Sequence, residues 1–206
     1  FLMKKRYVLH VLDDEGIVGS KYKYTGVDVV RTTMPNALKP YAKKIIETMM
    51  QTQSVTTTNA VLNETYETFM GLKPTEIAFV KGLKGYEAYA ANCNSFQVAK
   101  KMPIHAKAAY YYNLLIKQLG IDNKYEQISS GDKVRFLYLE TPNKYNISCI
   151  GFKYELPPEI LSLVRIDYEK MFEKIMFSAI ERFYNCVNWQ IRKPNQNVRV
   201  ELFDLF

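Results

Sequence analysis

The sequence predicts an α+β fold in which an N-terminal β-hairpin precedes a mostly helical body with a small inserted β-sheet. Three observations support this prediction. Apolar and polar side chains alternate over residues 5–12, as in a half-buried strand. Residues 105–119 form a helical run that ends at Gly120. The strand pattern then returns in residues 133–139 and 147–152, on either side of a turn at residues 141–143.

Residues 5–31 are predicted as short strands and turns. After the strand at residues 5–12, Asp13-Asp14-Glu15-Gly16 is a turn, and residues 17–24 return as the second strand of the hairpin. Residues 27–31 are predicted as a further short strand. Adjacent strand residues point to opposite faces, so the three acidic residues at the hairpin tip indicate a solvated turn better than a metal cluster.

The helical body is predicted in several pieces. One helix runs from Pro35 to about Gln51, and Pro40 indicates that it is kinked or begins in two steps. A polar break at residues 52–58 separates it from a second helix at residues 59–70. Residues 76–80 are predicted as a strand. The last long helix begins after Asp167, and its apolar stripe indicates core packing.

Composition narrows the class of protein. A 48% hydrophobic and 24% charged chain is typical of a folded protein and excludes a disordered tail or fibrous repeat. It contains no apolar run near the roughly 20 residues that span a bilayer. Three widely spaced cysteines and two histidines make a closed zinc site unfavourable and indicate a reducing cytoplasm.

The positive charge is uneven along the sequence. Residues 1–119 carry 16 Lys and Arg against 9 Asp and Glu, whereas residues 120–206 carry 12 of each. A basic part joined to a neutral part is typical of a nucleic-acid-facing surface with a supporting scaffold.

Familiar catalytic motifs are absent from the sequence: it has no phosphate-binding P-loop, no nucleophile elbow and no zinc-protease helix. Gly82-Leu83-Lys84-Gly85 matches the Gly-x-x-Gly loop with which KH modules hold a nucleic-acid backbone, or it is an ordinary basic turn. The run Lys4-Lys5-Arg6-Tyr7 places cations and a phenol at the start of a strand. There they could reach duplex phosphates or a groove edge, or form a solvated strand end.

Four stretches together resemble family B DNA polymerases, in particular the replicative enzymes of T-even-type bacteriophages. Residues 4–16 and 23–35 resemble the late palm, including its Lys-x-Tyr motif. Residues 100–113 are similar to a stretch of the thumb. Residues 201–206 resemble the C-terminal peptide that binds the sliding clamp. The order, the spacing and the terminal position of these stretches agree with that family.

The resemblance implies a palm remnant at residues 1–34, a thumb at 35–198 and a clamp-binding tail at 199–206. It implies that Lys5 and Tyr7 contact the primer–template duplex near the primer terminus. Arg31 stands where the family carries another polar groove contact, and the thumb lysines face duplex phosphates. The implied DNA-binding residues are Lys4, Lys5, Tyr7, Arg31, Lys100, Lys101 and Lys107, and the implied clamp-binding residues are Leu202, Phe203, Leu205 and Phe206.

The resemblance also implies how this chain takes part in DNA polymerisation. The metal-binding aspartates, fingers and exonuclease of the family precede the Lys-x-Tyr motif, so no catalytic or metal-binding residue is expected here and the chain alone is not expected to polymerise DNA. The complete nucleotidyltransferase would use Mg²⁺. Expected partners are primer–template DNA, the sliding clamp and the N-terminal polymerase portion, with no membrane, in the cytoplasm of an infected bacterial host.

Two alternatives remain open at this stage. The chain could be a stand-alone basic duplex DNA- or RNA-binding module that uses the loop at Gly82–Gly85. It could instead be an adaptor whose clamp-binding tail is its only functional part. Dependence of DNA binding on Lys5 and Tyr7 would favour the polymerase interpretation over both.

Overall fold

A computed structural model describes residues 5–194, and it is a mixed α+β structure with two small antiparallel sheets. The chain divides into two compact units. The hairpin unit comprises residues 1–71 and 172–206, and the central unit comprises residues 72–171. The boundaries predicted at residues 34 and 198 follow the resemblance and stay a prediction.

The hairpin unit begins with the predicted hairpin. Strand β1 (Tyr7–Asp14) pairs antiparallel with β2 (Ile17–Thr25). The two turn residues Glu15 and Gly16 have φ values of +56° and +84°, and the carboxylate of Asp13 accepts a hydrogen bond from the Gly16 amide at 2.8 Å. This turn matches the right-handed twist of the strands, so the acidic tip is a turn, as the sequence predicts.

The short strand predicted at residues 27–31 is wrong, because Asp28–Val30 form a 3₁₀ turn. Gly26, with φ of +63°, redirects the chain after β2. The turn buries both Val27 and Val29.

Two antiparallel helices follow, α1 (Lys39–Thr52) and α2 (Val55–Met70). A 3₁₀ turn precedes α1, so the predicted two-step start is confirmed. The predicted break at residues 52–58 is too long, because only Gln53 and Ser54 separate the helices. Ser54 caps α2 by accepting a hydrogen bond from the Thr57 amide at 3.3 Å, and the Thr58 hydroxyl donates to the Ser54 carbonyl oxygen at 2.8 Å.

The chain returns to the hairpin unit through its last helix. α7 (Tyr168–Phe172) leads into a π-helical turn (Glu173–Phe177) and then α8 (Ser178–Cys186). The capping role of Asp167 is confirmed, since its carboxylate accepts from the Lys170 amide at 2.8 Å. The predicted helix is interrupted where the Ser178 hydroxyl donates to the Glu173 carbonyl at 2.7 Å. The core contains Leu38, Ile45, Ile46, Leu62, Phe69, Ile180 and Tyr184.

The central unit is built on a three-stranded sheet in the order β3–β4–β5. Its elements in chain order are α3 (Pro74–Ile77), β3 (Phe79–Gly82), α4 (Tyr86–Ala90), α5 (Ile104–Gln118), β4 (Lys133–Tyr138), β5 (Cys149–Phe152) and α6 (Pro158–Leu161). The strand predicted at residues 76–80 is therefore partly wrong, because its first residues belong to α3. The side chain of Glu76 accepts from the Lys73 amide at 2.7 Å and stabilises that short helix.

Helix α5 packs closely against strand β5 of the central unit. Gly151 of β5 packs so closely on α5 that an added Cβ would lie 2.9 Å from the carbonyl carbon of Ala108. The small side chains of Ala108 and Ala109, both fully buried, permit this approach. The predictions for α5, β4 and β5 are confirmed to within one or two residues.

Candidate nucleic-acid interface

The Lys-x-Tyr segment lies at the open end of the hairpin. Tyr7 is the first residue of β1 and pairs with Thr25, while the exposed Lys5 has a φ of +67°. A Cβ on Gly26 would lie only 2.2 Å from the carbonyl oxygen of Lys5. Only glycine permits this close approach, and the contact fixes the Lys5 backbone against the end of β2. Lys4 lies outside the described residues.

Arg31 is engaged within the hairpin unit. Its guanidinium lies 2.8 Å from the carboxylate of Asp28, which also pairs with Arg182. Asp28 is 26% exposed and Arg31 41%, so the ion pair is open to solvent on one side. A phosphate that bound Arg31 in place of Asp28 would break this ion pair. Ion pairs in partly exposed positions stabilise a protein by about 0–1 kcal/mol, so the loss would be small.

Sequence reasoning missed Arg182, which lies 154 positions from Asp28 along the chain. Together with Arg6 and Asp28 it lines a pocket of about 420 Å³ in the hairpin unit, whose apolar wall includes Val27 and Phe183. No local sequence pattern indicates this arrangement, because the fold alone brings the end of α8 beside the turn at Asp28.

The thumb lysines of the resemblance lie in the central unit. Lys100 and Lys101 are exposed in the turn that precedes α5, and Lys107 is half-buried in the first turn of that helix. Burial raises the pKa of Cys149 to about 12, and the positive charges of Lys107 and Lys170 oppose that rise. The Cys149 thiol donates to the Ile104 carbonyl at 3.8 Å, one helical turn before Lys107.

The Gly82–Gly85 loop is held by the fold itself. Leu83 is buried, its amide donates to the Asp132 carbonyl at 2.9 Å, and its carbonyl accepts from the Gly131 amide at 2.8 Å. Gly85 has a φ of +63° at the start of α4, a conformation that favours glycine. The loop connects β3 to α4, and its central residue Leu83 lies in the core. These structural roles alone explain why the loop has this sequence.

The described residues offer little for metal or thiol chemistry. Across residues 5–194 no three His, Cys, Asp or Glu side chains lie together in a way that could hold a metal ion. Cys93, Cys149 and Cys186 are all free thiols.

Both compact units carry excess positive charge. The central unit has 14 Lys and Arg against 10 Asp and Glu, and the remaining residues have 14 against 11. The change from the basic to the neutral part of the sequence, at residue 120, therefore falls inside the central unit and not at the boundary between the two units. None of the helices within residues 5–194 is long and apolar enough to cross a membrane.

Comparison with known proteins identifies no relative. No protein family matches the sequence, and no curated protein matches it. A functional proposal for this chain therefore depends on its own residues and their geometry.

Proposed function

We propose that this chain is the C-terminal part of a replicative family B DNA polymerase of the T-even phage type, which holds primer–template duplex and links the enzyme to its sliding clamp. The observation that carries the proposal is the Lys-x-Tyr segment at the base of the hairpin, where Gly26 closes on the Lys5 carbonyl oxygen. Two stretches of the palm resemblance, around residues 5–7 and 25–28, thus lie against each other in one unit.

A lysine and a tyrosine on a fixed backbone suit a shape-dependent contact with DNA. Minor-groove acceptors are nearly the same for all correct base pairs, so Lys5 could test pair geometry without reading sequence. Tyr7 is half-buried at the strand end and could pack on a sugar nearby. Both contacts need a well-positioned backbone, and the close approach of Gly26 to the Lys5 carbonyl oxygen supports such a position.

The lysines of the central unit would supply contacts to duplex phosphates. Lys100 and Lys101 are exposed beside the N-terminus of α5, and Lys107 follows in its first turn. Each phosphate contact releases counterions, so binding should weaken steeply as the salt concentration rises. These contacts would position the duplex without selecting its sequence.

The clamp-binding part of the proposal concerns Leu202, Phe203, Leu205 and Phe206, which lie outside the described residues. An apolar peptide of this kind would bind a pocket on the sliding clamp and raise processivity through effective concentration. Nucleotidyl transfer would belong to the N-terminal polymerase portion, which would supply the catalytic palm, fingers and exonuclease. The proposed location is the cytoplasm of an infected bacterial cell.

The test is fluorescence anisotropy of a labelled primer–template duplex titrated with the full chain at two salt concentrations. The variant Lys5→Ala/Tyr7→Ala should bind at least about tenfold more weakly, because it loses a charged contact and an aromatic contact. A matched control is Lys21→Ala/Tyr154→Ala, which removes one cation and one exposed phenol elsewhere; Lys21 pairs with Asp14, and Tyr154 is 75% exposed.

Three outcomes separate the candidate functions. Selective weakening by the Lys5 and Tyr7 changes supports the polymerase proposal. Duplex binding that is equally strong in both double variants would overturn it and favour an independent nucleic-acid module. Absence of duplex binding, combined with clamp binding that requires Leu202 to Phe206, would favour the adaptor.

A further inference from the structure

One face of the central sheet carries aromatic side chains beside α5. Residues directly opposed in an antiparallel pair point to the same face. Phe79 of β3 is opposite Phe136 of β4, which is in turn opposite Gly151 of β5. Because Gly151 contacts the Ala108 backbone of α5, all three lie on the face that α5 partly covers.

Three rings form a cluster on this face. Phe79 and Phe136 stack with ring centroids 5.2 Å apart, and Tyr138 meets their edges at 6.4 and 6.3 Å. Phe136 is buried, whereas Phe79 and Tyr138 are half-buried. The accessible part of the cluster is therefore made by Phe79 and Tyr138, supported from within by Phe136.

One lysine contacts an accessible ring, and two more lie on neighbouring turns or strand positions. The Lys170 ammonium lies 5.2 Å from the centroid of the Tyr138 ring. Lys107 lies one turn of α5 beyond Ile104, whose carbonyl oxygen accepts from the Cys149 thiol at 3.8 Å, and Cys149 is directly opposite Tyr138 in β5. Lys81 lies two residues beyond Phe79, on the same face, and its charge adds to the larger effect of burial in lowering the pKa of His105. The nearby Asp167 carboxylate is engaged in capping α7.

This combination fits one ligand chemistry. Planar bases stack on aromatic rings whatever their sequence, and the phosphates between them need cations at a similar spacing. A purely acidic peptide would use the lysines but not the rings, and an apolar partner would leave the lysines unpaired.

We propose that Phe79 and Tyr138, with Lys81, Lys107 and Lys170 around them, form a binding surface for unpaired nucleotides of single-stranded nucleic acid. The surface shares Lys107 with the phosphate contacts proposed above, but its two rings are distinct from the duplex contacts proposed for Lys5 and Tyr7 and do not depend on them.

A pair of oligonucleotide probes tests stacking without changing the protein. The full chain is titrated against labelled oligothymidylate of roughly 20 nucleotides and against an abasic strand of the same length and charge. The proposal expects oligothymidylate to bind at least about tenfold more tightly, since one stacked base contributes that much or more. Equal affinity for the two strands, or binding to neither, would overturn it.

A variant pair then locates the surface. Phe79→Leu/Tyr138→Leu keeps apolar volume in the sheet but removes the ring faces, and it should reduce the preference for oligothymidylate to near that of the abasic strand. Tyr154→Leu, which removes an exposed ring in the same unit, should not. Circular dichroism confirms that each variant is folded. A preference that survives in the first variant, or is lost equally in Tyr154→Leu, would contradict the assignment to this surface.

The same proteins separate this inference from the proposed function. Lys5→Ala/Tyr7→Ala should weaken binding to the duplex but keep the preference for oligothymidylate, and the double leucine variant should do the reverse. If the double leucine variant weakens duplex binding as much as single-strand binding, the surface is a general DNA contact and the inference is wrong.

Discussion

The two sheets of this protein differ in how many of their residues are buried. All four residues of β5 and three of the six residues of β4 are buried, whereas only Val8 is buried among the eight residues of β1. The central sheet is covered by α5, while Leu12 and Val18 of the hairpin are 63% and 85% exposed. A two-stranded hairpin is marginally stable without further packing, so the hairpin is the part of this chain that most needs a partner.

The difference in burial between the two sheets is relevant to the proposed function. If the hairpin is a remnant of a polymerase palm, its exposed apolar residues are where the remaining palm would pack. The central sheet needs no such partner, because its covering helix belongs to the same unit. The expected mutational effects therefore differ between sheets even where the residue types are identical.

The largest expected difference comes from a leucine in each sheet. Leu137 of β4 is fully buried, and Leu137→Ala should lower the free energy of unfolding by about 2–5 kcal/mol through lost burial and the cavity left behind. Leu12→Ala in β1 should cost less than about 0.5 kcal/mol. Urea denaturation followed by circular dichroism measures both. Equal losses would show that the hairpin is packed as tightly as the central sheet.

A glycine in each sheet gives the next largest difference. An added Cβ at Gly151 would lie 2.9 Å from the carbonyl oxygen of Ala108, whereas one at Gly19 of β2 would meet no atom within 4 Å. Gly151→Ala should therefore cost about 1–3 kcal/mol through overpacking. Gly19→Ala should be neutral or stabilise by up to about 1 kcal/mol, since alanine loses less backbone entropy. Thermal melts of the two variants beside the unchanged chain would decide, and a loss at Gly19 matching that at Gly151 would contradict the difference.

The sequence was informative where local pattern and turn chemistry decide the structure. Alternation and the acidic tip located the hairpin, and Gly120 located the end of α5. It failed at residues 27–31, where consecutive branched residues favour a strand but Gly26 redirects the chain into a turn that buries Val27 and Val29. Short apolar runs of this kind do not distinguish a strand from a buried turn.

The candidate site was less predictable than the fold. The resemblance indicated Lys5 and Tyr7 but not the partner of Arg31, because Asp28 lies three residues away in a 3₁₀ turn that the sequence did not predict. The cluster of Phe79 and Tyr138 was also missed. Its members are distant in the chain, and strand pairing alone brings them together.

The smallest expected effect concerns the bond that joins the hairpin to α1. The Tyr24 hydroxyl donates to the carboxylate of Glu47 at 2.6 Å, and the Lys43 ammonium lies 5.1 Å from the centroid of the Tyr24 ring. Burial, followed by the bond to Glu47, raises the pKa of Tyr24 well above its ordinary value near 10. Tyr24→Phe should therefore lower the free energy of unfolding by about 1 kcal/mol at neutral pH, where the tyrosine donates this bond.

The free energy of unfolding should depend on pH in a way that tests the role of Tyr24. Above about pH 10 the unfolded chain loses the Tyr24 proton while the folded chain keeps it, so the unfolded state binds fewer protons and stability falls as the pH rises. Phenylalanine carries no such proton, so the variant should lose less stability over this range. The deficit of Tyr24→Phe, measured by urea denaturation from about pH 8 to pH 11, should thus narrow as the solution becomes alkaline. A deficit that stays constant over this range would mean that Tyr24 ionises alike in both states and would contradict the prediction.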